Sequence, residues 1–457
     1  MRAFGMFALA GVFMFGACSR IDELRYGEVR QITIYESRVH AAFSGITRLK
    51  SGELLIVFRE GNEPVSPDGK ILMCLSKDGG RTWTPPDTIV STSWDCRDPS
   101  VVQLRDGLIV VNFFQSMYND QGELIGTVGC FTVRSFDNGK TFTAPRMVQI
   151  PGVDWAGTSD AILELSDGSL LLPAYGGKRE EGSVALAVIS RDGGETWKES
   201  YIIAEDSGNR IHYQEPAFVQ LPDGRICCML RTTGADGFLY QAVSEDGGKT
   251  WSSPKSSGVQ GEAPDLHLTP DGTLLFAYRD FWPRGVSFVR SYDWGRTWER
   301  EAQLFSADDD CGCPNIVTLD DGFLAVHYAV FRRGGEKSDA KSGILGTLFS
   351  IRKPGTPKGF SASVRGENRV SLRWNSVEDA VYYVVYRDTV QDFDPQPGYP
   401  FEGNGIASPT SIQYTDVRVN PGKTYYYRVS AVAGMGELIS GTGGESEPTE
   451  VVEVDIR

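Results

Sequence analysis

The sequence predicts an all-β chain, a six-bladed β-propeller followed by a smaller β-sandwich. Two interleaved repeats and the composition carry that expectation. An octapeptide, S-x-D-x-G-x-T-(W/F), occurs five times: SKDGGRTW from Ser76, SFDNGKTF from Ser135, SRDGGETW from Ser190, SEDGGKTW from Ser244 and SYDWGRTW from Ser291. The starts lie 59, 55, 54 and 47 residues apart, a period that marks propellers and solenoids. A second pattern, apolar strand, (D/S)G turn, apolar strand, occurs six times, with turn glycines Gly52, Gly107, Gly168, Gly224, Gly272 and Gly322. The 52 glycines and 11% aromatic residues, with few helical patterns, agree with an all-β chain.

Each octapeptide has the chemistry of a tight hairpin turn. Asp78 and its counterparts can accept hydrogen bonds from nearby backbone N–H groups. Gly80 supplies a positive φ, and the terminal Trp or Phe is an apolar body that locks the turn in place. These residues are expected to be scaffold. One unit reads strand, (D/S)G turn, strand, third strand, octapeptide, fourth strand, which makes a four-stranded blade; six units over residues 27–353 make the propeller. The sixth unit lacks an octapeptide. Its third strand is placed at Ile344–Ile351, and Val29–Tyr35 is expected to complete that blade and close the ring.

The ends of the chain read differently. Residues 1–18, MRAFGMFALAGVFMFGAC, have a charged start and an apolar run too short to span a bilayer, as in a secretory signal. The run ends in Phe15-Gly16-Ala17-Cys18, which resembles a bacterial lipobox, so Cys18 is the expected lipidation site and residues 19–26 a tether. The resemblance implies an outer-membrane or cell-surface lipoprotein of a Gram-negative bacterium, held to the membrane by lipid alone. At the other end, Lys353–Lys358 reads as a linker, and residues 354–457 carry a seven-strand sandwich pattern with Trp374 as core tryptophan and Tyr425 at a tyrosine corner. This part resembles a fibronectin type III domain, a spacer or docking module.

A net charge of −15 argues against a nucleic-acid partner. Seven cysteines after Cys18 show no regular framework, and Cys311-x-Cys313 lacks the CxxC spacing and adjacent histidine of a zinc site. No metal and no cofactor are expected.

Propeller geometry indicates where chemistry sits. Both turn types fall on one face, so the starts of the first strands and the ends of the second strands converge on the opposite mouth. At the first-strand starts stand Asp98, Asp160, Glu215, Glu262 with Asp265, and Asp310. Seven residues beyond each turn glycine stand Arg59, Phe114, Tyr175, Arg231, Arg279 and Ala329. Arginine forks bind carboxylates, and carboxylates at an axial mouth are acid or base candidates. A self-neutralising salt-bridge network is the structural alternative.

The octapeptides resemble the Asp boxes of the sialidase superfamily, over roughly residues 30–353. That resemblance implies an exo-acting glycoside hydrolase for terminal acidic sugars, sialic acid or a relative. Glu215 resembles the family's glutamate, Arg231 and Arg284 two of its arginines, and Arg97-Asp98-Pro99-Ser100 its substrate-facing Asp-Pro segment. Two departures stand out. No arginine lies near Phe43-Ser44-Gly45-Ile46, so Arg38 or Arg59 would substitute. Cys313 occupies the place of the nucleophilic tyrosine, and Tyr328 lies later on the second strand. Glu60, Glu63 and Asp68 share the loop of the family's acid. The expected catalytic pool is therefore Asp98, Asp160 and Glu215, working as paired carboxylates; the expected substrate contacts are Arg59, Arg97, Arg231, Arg279 and Arg284. The departures also suit the alternative, a non-catalytic glycan-binding lipoprotein. A polysaccharide lyase on the same architecture is a third reading, weakened by a count of four histidines.

Overall fold

A computed structural model describes residues 29–457 except 179–181, 236, 299–301, 321, 333–339, 350–354, 367, 378–379, 381, 394, 396–403, 433–445 and 447. The signal, Cys18 and the tether lie outside the described residues. Among those described, every regular element is a strand.

β1 (Val29–Ser37) opens the chain. The first sheet follows as β2 (His40–Arg48), β3 (Leu54–Gly61), β4 (Lys70–Ser76) and β5 (Asp87–Val90). The second is β6 (Asp95–Gln103), β7 (Ile109–Tyr118), β8 (Leu124–Ser135) and β9 (Arg146–Met147). In the third, two short strands, β10 (Trp155–Gly157) and β11 (Leu163–Glu164), share the place of the first strand beside β12 (Leu170–Gly177), β13 (Val184–Ser190) and β14 (Glu199–Ala204). The fourth is β15 (His212–Gln220), β16 (Ile226–Thr233), β17 (Phe238–Ser244) and β18 (Lys255–Gln260). The fifth is β19 (Glu262–Leu268), β20 (Leu274–Phe281), β21 (Arg284–Ser291) and β22 (Ala302–Ser306). The sixth is β23 (Cys311–Thr318), β24 (Phe323–Arg332) and β25 (Ala340–Phe349). All pairings are antiparallel, and β1 pairs with β25 through Val29↔Phe349 to Ser37↔Ser342. The pairing expected of Val29–Tyr35 is present, and it joins the two ends of this region.

An apolar cluster lies between each neighbouring pair of sheets. Leu55 and Val57 pack with Val111 and Phe113, Val110 with Leu172, Leu171 with Cys228, Met229 with Phe276, and Ala277 with Ala325. The sixth pair is the sixth sheet with the first, through Leu324, Val326, Leu54 and Phe58. Strands β3, β7, β12, β16, β20 and β24 are buried on both faces, which explains why they read as continuous apolar runs rather than alternating ones.

The five octapeptides fold alike. In the first, the Ser76 hydroxyl donates to Asp78 Oδ1 (2.9 Å) and accepts the Gly80 N–H (2.8 Å), while Asp78 accepts the Thr82 N–H (2.9 Å) and hydroxyl (2.6 Å). The same four bonds recur around Asp137, Asp192, Asp246 and Asp293. The Thr196 hydroxyl, followed by its N–H, lowers the Asp192 carboxyl to about 2. Gly80 has φ +88°, and a Cβ there would lie 3.1 Å from Leu324 of the sixth sheet. The octapeptide therefore clips its own sheet to the preceding one, and the glycine meets two demands at once, handedness and close approach.

The C-terminal unit has two sheets. One is β26 (Ser361–Val364), β27 (Val370–Arg373) and β30 (Gln413–Asp416); the other is β29 (Gly405–Ala407), β28 (Tyr382–Asp388), β31 (Thr424–Val432) and β32 (Val452–Asp455). Val370 and Leu372 of the first share one core with Val385, Tyr427 and Val429 of the second. Trp374 is buried edge-on to Tyr383, and the Tyr425 hydroxyl accepts the Asn420 N–H at 3.1 Å.

Candidate active site

One backbone device, repeated, builds the site. In five of the six inner strands the pairing register slips by one residue, so that two residues oppose one. The first residue of each bulge has a left-handed φ: Phe43 (56°), Asp98 (46°), Glu215 (45°), Ala263 (49°) and Cys313 (49°). L-residues adopt this conformation rarely, and bulges of this kind re-aim side chains beside functional sites. Each bulge residue stands nine positions before a turn glycine, and Pro99, Pro216, Pro264 and Pro314 follow four of them. In the third sheet that position is Ser159, in the break between β10 and β11.

The bulges bring their side chains to one cavity, lined by Phe43, Asp98, Ser159, Asp160, Glu215, Arg231, Glu262, Arg279, Cys313 and Tyr328 among others. A chain of alternating charge runs along one side. Arg231 donates to Glu215 Oε1 (2.6 Å) and to Glu262 Oε1 (2.7 Å). Arg279 donates to Glu262 Oε2 (3.1 Å), to Asp310, to the Tyr328 hydroxyl and to the Cys311 carbonyl. The Tyr328 hydroxyl in turn donates to Asp310 Oδ2 at 3.0 Å. Both arginine pKa values rise as the surrounding anions outweigh burial.

Two carboxylates are not fully engaged. Asp98 Oδ1 and Glu215 Oε2 are buried without a hydrogen-bond partner. Burial pushes the Asp98 carboxyl up to about 6; Arg97 opposes that shift and Glu215 adds to it. Asp98 and Glu215 thus sense each other across the cavity. Burial raises the Cys313 thiol well above its ordinary range, so this side chain is a thiol and not a thiolate nucleophile.

The structure brings Asp98, Glu215, Arg231 and Arg279 together as expected. Other expected residues have different places. Arg59 is fully buried: Nε donates to Asp95 (2.8 Å), Nη1 to the Glu63 carbonyl and Nη2 to Ser66. It is a core ion pair outside the cavity lining, so its assignment to substrate is corrected. Arg97 packs over Phe43 and Phe114 and donates to Asp95 and the Pro64 carbonyl, which places it behind the lining rather than in it. Asp160 lines the cavity, but its oxygens accept the N–H groups of Ala161 (2.8 Å) and Phe218 (3.2 Å), which ties sheet three to sheet four. Burial, then Asp265, raises its pKa. Both of its oxygens are thus engaged by backbone N–H groups, unlike the free oxygens of Asp98 and Glu215. Arg284 is exposed on the outer rim, away from the cavity lining. Arg38 is exposed; Glu60 is held by Tyr35, Ser37 and Lys70, and Asp68 caps Asn62.

Tyr328 is the residue that the seven-residue count passed over. Four residues separate the paired Thr318 and Phe323 in the sixth hairpin, against five between Leu268 and Leu274 in the fifth. The shorter turn puts Tyr328, not Ala329, opposite the residue before the bulge, where Arg279 and Arg231 stand in their own sheets.

Comparison with known proteins agrees with this architecture. A protein of unknown function from Dyadobacter fermentans superposes with a TM-score of 0.61 at 27% identity, over 69% of this chain and 98% of that one. A Hadza microbial sialidase superposes at 0.54 and 19% identity, over 66% and 65%. An α-L-arabinofuranosidase from Fusarium graminearum superposes at 0.53 and 14% identity, over 70% and 97%. The two glycosidases are similar in fold alone. A poly(3-hydroxybutyrate) depolymerase from Ralstonia pickettii is 33% identical over 96 residues, which is 21% of this chain and 15% of that one; the chain spans well under two thirds of that relative. The BNR repeat-like domain family matches residues 52–327, more than half of the chain, and the protein belongs to that family.

Proposed function

We propose that the chain is an exo-acting glycoside hydrolase in which Asp98 and Glu215 are the reacting carboxylates, mounted on six sheets that close as the blades of a propeller. The carrying observation is the pair of buried, unpartnered carboxylate oxygens in one cavity. A buried acceptor without a donor costs about 1–3 kcal/mol, and the hydroxyls of a sugar supply donors. Asp98, protonated up to about pH 6, serves as general acid to the leaving oxygen. Glu215, ion-paired to Arg231 at 2.6 Å, serves as base or nucleophile at the anomeric carbon. Two carboxyl groups in unlike environments are the usual division of labour in glycoside hydrolysis.

The resemblance to the sialidase superfamily implied an acidic sugar. The geometry favours a neutral one. Arg59 is withdrawn, and Glu262 stands between Arg231 and Arg279 with an oxygen on each. An anionic substituent would have to displace that carboxylate in a cavity already lined by Asp98, Asp160, Glu215 and Glu262. The test incubates the soluble chain lacking residues 1–18 with 4-nitrophenyl pentosides and hexosides, sialosides and uronides. Release from a neutral glycoside is expected. Release confined to sialosides or uronides would sink the neutral assignment. Retention of glycans with no release from any of them would favour the second reading, a glycan-binding lipoprotein, for which the observation is Cys313 at the place expected of a nucleophilic tyrosine. A lyase has less support, because among the described residues no histidine lines the cavity.

We further propose that the C-terminal sandwich is a fibronectin type III module holding the catalytic unit off the membrane, and that lipid on Cys18 anchors the chain. Cys18→Ser should move the protein out of the membrane fraction; unchanged fractionation would rule out an anchor there.

A further inference from the structure

Arg279 lines more than the cavity. A second hollow shares that arginine and adds Asp280, Phe281, Arg284 and Asp310. A third shares Asp280 and Phe281 with the second. It follows the crevice between the fourth and fifth sheets, with Gln260 at the end of β18 on one side and Tyr278 of β20 on the other. Trp282 stands at its rim, on the turn between β20 and β21, 88% exposed.

One exposed aromatic side chain needs no explanation by itself. This one differs in its support. Asp280 is 5% exposed and has both oxygens committed to the turn: Oδ1 accepts the Trp282 N–H at 2.9 Å, and Oδ2 accepts the Ser287 hydroxyl at 2.8 Å. A buried carboxylate is costly unless hydrogen-bonded, and here its bonds fix the backbone under an indole that faces water. Phe281, half-buried, backs the turn from the groove side. Arg284, exposed at the near edge, forms no salt bridge among the described residues and has donors to offer. An outward-facing aromatic side chain on a fixed turn, a cation with open donors, and hollows linked to the cavity through shared lining residues form an extended site.

We propose that this line of hollows binds the second and third sugars of an oligosaccharide whose terminal unit occupies the axial cavity, with Trp282 as the stacking platform and Arg284 as donor to ring hydroxyls. The face of a sugar ring that carries axial C–H bonds is weakly positive and apolar, and it suits the negative face of an indole. The proposal rests on the cavity holding a terminal sugar and does not require that the sugar be cleaved.

The test compares wild type with Trp282→Ala and Trp282→Phe on arabinan-, galactan- and xylan-derived oligosaccharides of two to four units and on the matching 4-nitrophenyl monoglycosides. Trp282→Ala should lower kcat/KM on tri- and tetrasaccharides about tenfold, the scale of one aromatic stacking contact, with monoglycoside turnover unchanged. Trp282→Phe should keep most of the oligosaccharide rate. Equal loss on both substrate classes, or no loss on the oligosaccharides, overturns the subsite and leaves the hydrolase reading standing. If no glycoside is cleaved, the hydrolase reading falls, and calorimetry with the same oligosaccharides decides the subsite. A Kd about tenfold weaker in Trp282→Ala sustains it; an unchanged Kd, or no binding at millimolar concentration, overturns it.

Discussion

Replacing Glu215 with glutamine should lower turnover at least ~100-fold on whichever glycoside the soluble chain cleaves, the scale of a positioned acid or base. The change is isosteric. It removes the negative charge that faces Arg231 at 2.6 Å and leaves Arg231 bound to Glu262, so the cavity keeps its shape and sugar binding should survive. Asp98→Asn should cost as much on natural glycosides and much less on substrates with activated aryl leaving groups, which depart without a proton. Near-wild-type turnover by Glu215→Gln would make Glu215 a salt-bridge partner only.

The pH dependence follows from the sign of the Asp98 shift. Its folded pKa is raised to about 6, chiefly by burial. As a general acid it must be protonated, so kcat/KM should fall as pH rises through about 6, and Asp98→Asn should erase that limb. The same shift bears on stability. A carboxyl raised in the folded state is ionised first in the unfolded chain, so stability declines as pH climbs from the ordinary aspartate range toward 6. Asp98→Asn should therefore unfold at a higher temperature than wild type above pH 6 while losing activity. Both outcomes together would show Asp98 trading stability for function, a relation a purely structural aspartate would not show.

The fold was readable because its information is local. The octapeptide turn is closed by hydrogen bonds between residues two to four apart, as with Ser76, Asp78 and Thr82, and such bonds leave a fixed spacing in the sequence. The site was readable only in part. Glu215 and Asp98 were found because each stands near the start of a first strand of the repeat; the bulge that turns each side chain inward appears only in the structure. Tyr328 was hidden by one missing residue in the sixth hairpin. Arg59 was misread because a repeat position gives the strand address of a side chain but not its direction. That direction is set by Asp95 on the neighbouring sheet, a partner 36 residues away that no repeat position identifies.

Arg59 supplies the second large effect. Its guanidinium and Asp95 are both fully buried, 2.8 Å apart, and breaking such a pair from one side costs about 3–5 kcal/mol, because a charge is left without its partner. Asp95 has further donors, Arg97 at 3.0 Å and the Tyr118 hydroxyl at 2.9 Å. Arg59→Met, which keeps the apolar stem, should therefore fall near the lower end, about 3 kcal/mol, and lower the midpoint of thermal unfolding by roughly 4 °C. Asp95→Asn should be worse, since it removes the carboxylate bonded to Arg59 among the described residues and one from Arg97. Gly69 belongs to the same packing: a Cβ there would lie 1.8 Å from Asp95 Oδ1 and 2.6 Å from Arg59 Nε, so Gly69→Ala should pry the pair apart and match Asp95→Asn. Sugar affinity of the protein that remains folded should be unchanged in all three. Arg59→Met with wild-type unfolding and weakened sugar binding would restore Arg59 to the substrate site and refute its assignment as core.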